Sequence, residues 1–453
     1  MSRTAEEIGR TTQGPRPLPP LGEQRAATNL SSVDTVLPNG LRVIAVHQST
    51  VPMVELRLRI PFASDAPTHA ATAEVLAATI LTGTERRDRV AVDTELALVG
   101  GELSAAVDPE LLSLGGNALA SGFDTLLAVL ADALTGAVHR DDEVAGEKAR
   151  LIERITVARS KPNVIARLAL QRHRYGDHPF TREIPEAAEV AQVRPVDVRA
   201  LHASAVLPRG SVLVLVGDID PARAIAEAES ALRGWQSPDA AVVLPPLPHL
   251  TPGDLQVISR PGAVQSQIRL SAQAVPRTDP RYPALKLANL AFGGFFSSRL
   301  VENIREDKGY TYHARSYPEF TPDGSTLLID TDTASDVTAA ALLEIRYELG
   351  RFALIAPEPS EVDTVRQYAV GSLLTSTSSQ GGIASQLAAL AAVGLGLDWL
   401  INHPLQLQAV TADEVAAAAQ EFFAPTNFTG VVVGDVDKLA PLKKLGGIHF
   451  PDK

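Results

Sequence analysis

The feature that most constrains this chain is an internal duplication. Residues 37–44 (LPNGLRVI) place an Asn-Gly pair between β-forming residues, and residues 251–258 (TPGDLQVI) repeat that layout 214 positions later. Residues 212–220 and 431–437, two valine-rich runs that end in a Gly-Asp turn, are offset by a nearly equal 217 positions. Because the start and end markers keep almost the same offset, the sequence predicts one unit of about 200 residues, present twice.

Each copy is expected to be an α+β sandwich. Asn-Gly between β-formers favours a tight hairpin, and apolar-rich helices are predicted over residues 72–81, 123–134 and 142–158. Runs of strands that alternate with runs of helices are typical of helices packed on one face of a sheet. The sequence predicts four segments: an N-terminal arm (1–34), a first domain (35–235), a proline-rich linker (236–252) and a second domain (253–453).

Composition excludes several classes of function. The chain has no cysteine, so disulfides, thiol nucleophiles and cysteine-ligated metals are ruled out. Its 41 basic and 53 acidic residues give a net charge of −12, which argues against nucleic-acid or anionic-membrane partners. We find no apolar stretch of the length that a signal-peptide core or a bilayer span needs, and we therefore expect a cytoplasmic protein.

A scan for catalytic motifs finds no phosphate-binding loop and no serine nucleophile elbow. None of the ten histidines begins either of the metal-binding motifs His-Glu-x-x-His and His-x-x-Glu-His. His173 and His178 lie close together before Pro179, where we expect a polar loop rather than a regular helix or a metal site.

Five segments occur in an order that resembles a known family. They are residues 37–41 (LPNGL), 82–84 (TGT), 98–103 (LVGGEL), 175–180 (YGDHPF) and 298–312 (SRLVENIREDKGYTY). Their order and spacing over most of the chain resemble the insulinase/pitrilysin metallopeptidases, the inverzincins. The resemblance implies two homologous α+β domains that form one half of a clam-shell chamber in which peptides are cleaved.

The metal motif of that family is degenerate here. In active members His-x-x-Glu-His precedes the TGT segment, and counting back from residue 84 places its functional positions on Glu74, Ala77 and Ala78. The third ligand position falls on Arg154, with Glu153 as the alternative if the spacing shifts by one residue. Alanine offers no donor atom and a guanidinium repels Zn²⁺. We therefore expect no cofactor in this chain. Glu74 is expected either to remain as a surface residue or to pair with Arg154 as a structural replacement for the metal.

A second family feature is retained. Arg305 and Tyr312 match, at a spacing of seven, an arginine and a tyrosine that in the family face the zinc and contact the substrate carbonyl. Arg305 is expected on the last helical turn before a glycine, and Tyr312 on the next strand. From the residues alone, a local ion pair of Arg305 with Glu302 or Asp307 is the alternative, and Tyr310 is the competing tyrosine.

The resemblance implies a noncatalytic subunit of a heteromeric zinc peptidase. Its partner would be a homologous subunit that bears the intact motif and the zinc, and its ligand would be a peptide. A structural or scaffolding subunit without a role in proteolysis is the alternative. A third possibility is a metal site rebuilt from Glu74, His69 and other residues.

Overall fold

A computed structural model describes residues 30–321 and 324–451 of the chain, and in this part each half of the sequence folds around a six-stranded sheet. The strands of the first half are β1 (Ser32–Val36), β2 (Arg42–His47), β3 (Met53–Pro61), β4 (Glu102–Val107), β5 (Leu111–Leu119) and β6 (Val212–Gly217). Its helices are α1 (His69–Thr79), α2 (Arg89–Leu98), α3 (Phe123–Gly136), α4 (Asp141–Ser160), α5 (Pro162–Tyr175), α6 (Ala187–Gln192), α7 (Pro195–Ala205) and α8 (Pro221–Ala231).

The second half begins after an extended segment. Its strands are β7 (Leu255–Ser259), β8 (Gln265–Gln273), β9 (Ala314–Thr321), β10 (Gly324–Ala334), β11 (Thr429–Gly434) and β12 (Ile448–His449). Its α-helices are α9 (Tyr282–Asn289), α10 (Arg299–Val301), α11 (Thr338–Leu354), α12 (Pro359–Ser376), α13 (Gln380–Ala391), α14 (Leu397–Ala409) and α15 (Ala412–Phe422). Two π-helical turns, Leu290–Gly294 and Glu302–Asp307, flank α10.

The two sheets share the topology of five of their six strands. Their strand orders are β1-β2-β6-β3-β5-β4 and β12-β7-β11-β8-β10-β9, and each contains a parallel pair at the same place, β2 with β6 and β7 with β11. The predicted α+β fold with two similar sheets is therefore confirmed. One detail of the repeat was wrong, because residues 251–254 form no strand before β7. The place that β1 holds in the first sheet is taken by β12, which pairs parallel to β7 from the end of the chain.

The local sequence explains the opening hairpin and the sheet faces. Gly40 has a φ of 87°, a left-handed conformation that favours glycine. The Asn39 side chain accepts from the backbone of Leu41 and donates to the carbonyl oxygen of Trp235, which ties the turn to the end of the first half. On β3, buried and partly exposed residues alternate, so one face enters the core and the other carries polar side chains.

Helix α5 belongs to the first half in sequence but packs on the second sheet. Ala166 and Leu170 of this helix join Leu328, Val431 and Val433 of β10 and β11 in one buried cluster. At the end of the helix, His173 Nε2 lies 2.7 Å from the hydroxyl of a threonine on β11. His173 is thus helical, which the sequence-based prediction of a loop had wrong.

Helix α13 makes the reciprocal crossing onto the first sheet. It packs against β3 and β6. The Gln380 side chain donates to the carbonyl oxygens of Gln48 and Val51, the latter at 2.9 Å, and Arg57 Nε donates to Ser385 Oγ at 3.4 Å. Each sheet is therefore covered on one face by a helix from the other half.

The segments between and before the halves differ in detail from their expected bounds. Strand β1 starts at Ser32, inside the stretch expected to form the N-terminal arm, and residues 1–29 of that arm lie outside the described residues. Residues 236–252, predicted to be a linker, contain no helix or strand, and Leu244 and Leu250 within them are buried. No helix within residues 30–321 and 324–451 has both the length and the hydropathy to cross a bilayer.

Candidate functional site

The metal-motif positions lie on α1, which ends just before the TGT segment as expected. Ala77 is buried in the core of the first half, and Ala78 and Glu74 are partly exposed on the same helix. Gly83 has a φ of 152° and, with Thr84, forms the isolated bridges that close the helix. The helix is therefore built and placed as the motif requires, but two of its three functional side chains are methyl groups.

Glu74 is the carboxylate that remains at these positions. Burial raises its pKa, the charge of Arg154 on α4 opposes this effect, and the charge of Glu183 adds to it. Arg154 is itself exposed, and within the described residues no Glu74–Arg154 contact is as short as the 4.0 Å of an ion pair. The predicted Glu74–Arg154 pair is therefore not formed, and Arg154 acts on Glu74 only at longer range. Glu153, the alternative position, is also exposed.

The space beside Glu74 is nearly filled. A cavity of about 20 Å³, roughly the volume of one water-sized probe, is lined by His69, Ala73, Glu74, Pro179 and Glu183 among others. His69 Nε2 donates to the carbonyl oxygen of Phe62 at 2.7 Å, and burial lowers the pKa of this histidine. His69 is thus engaged in holding the backbone that leads into α1.

The residues present do not fit a zinc ion. Zinc needs neutral imidazole, thiolate or carboxylate ligands in a tetrahedral arrangement. Across residues 30–321 and 324–451, no cluster of three or more histidine, aspartate and glutamate side chains is arranged to hold a metal. The hypothesis of a site rebuilt from Glu74 and His69 is therefore wrong for the described part of the chain.

Arg305 and Tyr312 are brought together. The Arg305 guanidinium carbon lies 5.4 Å from the centre of the Tyr312 ring and 4.6 Å from that of Phe296, so the cation sits between two aromatic faces. Tyr312 is 88% exposed and Phe296 is 63% exposed. The acidic neighbour of Arg305 is Glu306, at 3.5 Å, and not Glu302 or Asp307 as the local ion-pair alternative supposed.

The backbone around this pair explains its position. Arg305 lies in the π-helical turn Glu302–Asp307, which ends before Gly309 at a φ of 64°. Tyr312 was expected on a strand but precedes β9, because the Thr311 hydroxyl bonds the carbonyl oxygens of Asp332 and His313 and holds a bend there. The Tyr312 ring consequently stands out from the sheet edge into solvent. Tyr310, by contrast, packs against the core of the second half.

Phe296 is the residue of this site to which the sequence analysis gave no role. It belongs to the loop after the π-helical turn Leu290–Gly294, where a Cβ on Gly293 would lie 2.8 Å from Ser316 Oγ. That close approach fixes the turn and directs the loop toward Arg305. The signal in the sequence was an aromatic residue two positions after a Gly-Gly pair and nine positions before the arginine.

Together, the duplicated α+β fold and the side chains on α1 define a class: peptidase-like chains whose metal positions hold no metal ligands. The chain belongs to peptidase family M16, the insulinase family. Residues 42–187 match the model described as insulinase (peptidase family M16), and residues 193–368 match the one described as peptidase M16 inactive domain.

Relatives and solved structures agree with this assignment. An uncharacterized zinc protease of Streptomyces coelicolor is 23% identical over 295 residues, which cover 62% of this chain and 63% of that protein, less than two thirds of its length. An uncharacterized zinc protease of Mycobacterium tuberculosis is 25% identical over 425 residues, which cover 88% of this chain and 92% of that protein. The peptidase M16 inactive domain of Pseudomonas fluorescens superposes with a TM-score of 0.80 at 22% identity, covering 90% of this chain and 98% of that one. A protease of Helicobacter pylori superposes with a TM-score of 0.78 at 15% identity, and the match covers 89% of this chain and 99% of that one.

Proposed function

We propose that this chain is the noncatalytic subunit of a heteromeric zinc peptidase. Its partner is a homologous subunit that carries an intact His-x-x-Glu-His motif and the zinc. This chain contributes Arg305 and Tyr312 to the binding of the peptide and to stabilisation of the transition state. The observation that carries the proposal is the exposed Arg305–Tyr312 pair in a chain whose own metal positions have lost their donors.

The chemistry of the pair suits this role. Peptide hydrolysis builds negative charge on the carbonyl oxygen, and an arginine N–H and a phenol O–H are suitable donors to it. The phenol is 88% exposed and points away from the fold, so it can reach a substrate outside this chain. Packing of the Arg305 guanidinium between Tyr312 and Phe296 limits its rotamers, which lowers the entropy lost when it binds.

The test uses the complex of this chain with a motif-bearing homologue. Arg305→Ala and Tyr312→Phe should leave assembly and the zinc content of the partner unchanged, as judged by gel filtration and elemental analysis. Turnover of a peptide substrate should fall about 10²–10³-fold, the usual loss when one donor to an oxyanion is removed.

Tyr310→Phe is the matched control, since Tyr310 carries the same phenol two residues away but packs against the core. It should leave turnover close to that of the wild type. Wild-type kinetics for both Arg305→Ala and Tyr312→Phe in an intact complex would contradict the proposal and favour a scaffolding subunit.

A further inference from the structure

Three basic side chains lie together in the second half without an acidic partner. Arg277 precedes α9, Lys286 lies on α9, and His403 lies on α14. Their charges act on one another: Arg277 lowers the pKa of Lys286, and Lys286 and Arg277 both lower that of His403. Across residues 30–321 and 324–451, no carboxylate forms an ion pair with Arg277 or Lys286. Like charges gathered in a partly buried place are unfavourable unless an anion is added.

Aromatic rings contact two of the three groups, Arg277 and His403. The Arg277 guanidinium carbon lies 3.8 Å from the centre of the Phe320 ring, and the His403 ring stacks on Trp399 at 4.2 Å and on Tyr282 at 5.5 Å. The Phe320 ring covers one side of the Arg277 guanidinium, and the other side is left open to the cavity described below.

A buried nitrogen without a hydrogen-bond partner also indicates that this region can accept a ligand. His403 is fully buried, and although its Nδ1 lies 3.3 Å from Gln406 Oε1, its Nε2 has no hydrogen-bond partner. Burial is the main cause that lowers the pKa of Lys286 to about 8 and that of His403 to about 4. Both shifts are those of basic groups that lack a counter-charge.

A cavity adjoins Arg277, the one of the three basic groups that is in its lining. It has a volume of about 570 Å³ and opens between α9 and α14, with Arg277 and Trp399 in its lining. The other lining residues are mixed: Pro280, Pro283, Leu395 and Val410 are apolar, and Thr278 and Gln406 are polar. The two acidic groups in the lining are engaged elsewhere, Asp279 by Arg281 and Glu414 by Thr411.

We propose that the cavity between α9 and α14 binds a carboxylate with an apolar body, that Arg277 in the lining contacts the carboxylate, and that Lys286, which lies outside the lining, adds positive charge at longer range. The planar guanidinium suits a carboxylate because two parallel N–H groups match its two oxygens. The apolar part of the lining receives the body of the ligand, and the ligand's charge offsets the repulsion between Arg277 and Lys286. This site is separate from the Arg305–Tyr312 pair, and the proposal does not depend on the function proposed above.

The full chain carries its own reporter. It has two tryptophans, Trp235 at the end of the first half and Trp399 in the cavity wall. Titration with N-acetylphenylalanine should change the tryptophan emission in a saturable way, and Trp399→Phe should abolish the change. N-acetylphenylalaninamide, which has the same shape without the charge, should bind at least 10-fold more weakly.

Variants locate the charge. Arg277→Gln should weaken the binding of N-acetylphenylalanine by about 10- to 100-fold, as expected for loss of a charge-assisted contact, and Lys286→Gln should weaken it by a smaller factor. Arg260→Gln, at the end of β7, is the control and should bind as the wild type does.

Three outcomes would overturn the proposal: no saturable change with the acid, equal affinity for acid and amide, or wild-type affinity in Arg277→Gln. A parallel titration with N-acetyl-Gly-Gly-Phe distinguishes the sources of the carboxylate. Tighter binding than that of N-acetylphenylalanine assigns the site to a peptide C-terminus, and equal or weaker binding assigns it to a small free acid.

Discussion

Glu74 keeps a carboxylate at a metal-motif position, where the surroundings work against its charge. Burial is the main cause that raises its pKa, and Glu183 adds to the rise. A carboxyl group whose pKa is higher in the folded than in the unfolded chain binds more protons when folded. It therefore lowers the free energy of unfolding progressively as the pH rises above its unfolded value of about 4.3.

We expect Glu74→Gln to raise the free energy of unfolding at pH 7, because the amide removes a poorly solvated charge. The gain should shrink as the pH falls toward 4, where the wild-type carboxyl is largely protonated in both states. Urea unfolding of both proteins at the two pH values measures it. Glu153→Gln, on an exposed position of α4, should change neither value. A destabilised Glu74→Gln at pH 7 would show that the carboxylate makes a favourable contact.

A buried chain of hydrogen bonds begins at the end of α1 and includes two histidines, His139 and His202. Thr79 Oγ1 lies 2.8 Å from His139 Nδ1, His139 Nε2 lies 2.9 Å from His202 Nδ1, and His202 Nε2 lies 3.0 Å from the carbonyl oxygen of Leu134. A carbonyl only accepts, so His202 Nε2 donates to it, and both rings can be satisfied in their neutral forms. Burial, with the charges of His202 and Arg199, lowers the pKa of His139 to about 3.

This histidine pair should make the fold sensitive to acid. The pKa of His139 is lower in the folded chain than its unfolded value of about 6.5. Its contribution to the free energy of unfolding is therefore complete above pH 6.5 and is lost as the pH falls toward 3. His139→Asn, in which asparagine tolerates the φ of 43°, should flatten the fall in unfolding free energy between pH 6.5 and 4. His249→Asn, in the exposed linker, should keep the wild-type slope. Equal slopes in all three proteins would argue against the histidine pair.

At the scale of elements, the crossing of α5 onto the second sheet depends on one buried arginine. The Arg174 side chain is 1% exposed, pairs with Glu319 at 2.8 Å and donates to Thr326, Ser271 and Gln171. Removing one partner of a buried ion pair leaves the other charge poorly compensated.

Arg174→Met should therefore destabilise the protein by about 3 kcal/mol, the lower end of the usual range, since Glu319 keeps 26% exposure. Arg172→Met is the matched control on the same helix. Arg172 is 78% exposed and pairs with the exposed Asp177, so its loss should cost less than about 1 kcal/mol. Chemical denaturation of both variants measures the difference. Similar losses in the two variants would mean that α5 is held by its apolar face alone.

The sequence predicted helices and strands better than it predicted which of them pack against one another. Amphipathic spacing indicates that a helix such as α5 has an apolar face, but not which of two similar sheets that face covers, so the exchange of α5 and α13 could not be foreseen. The Arg305–Tyr312 pair was found because its spacing is local and resembles a family pattern. Phe296 and the Arg277–Lys286–His403 cluster were missed because their contacts join residues that are distant in sequence or follow no motif.

For the whole molecule, the exchange of helices changes what the linker does. Residues 236–252 join the halves as irregular chain, but α5 packs on β8 and β11 and α13 packs on β3 and β6. Each half therefore leaves part of its sheet uncovered if the other half is removed. The two halves have separate main cores, yet neither holds all the helices that cover its own sheet.

Cutting the linker should consequently leave one particle. We expect a specific protease site inserted between Ala240 and Ala241, which are not buried, to be cleaved completely under native conditions. The two fragments should then co-elute from gel filtration at the position of the uncut chain and separate only in denaturant, because the contacts of α5 and α13 persist without the linker. Adding Arg174→Met should lower the denaturant concentration at which they separate, whereas Arg172→Met should not. Separation of the cleaved wild type in native buffer would show that the exchanged helices contribute too little to hold the halves together.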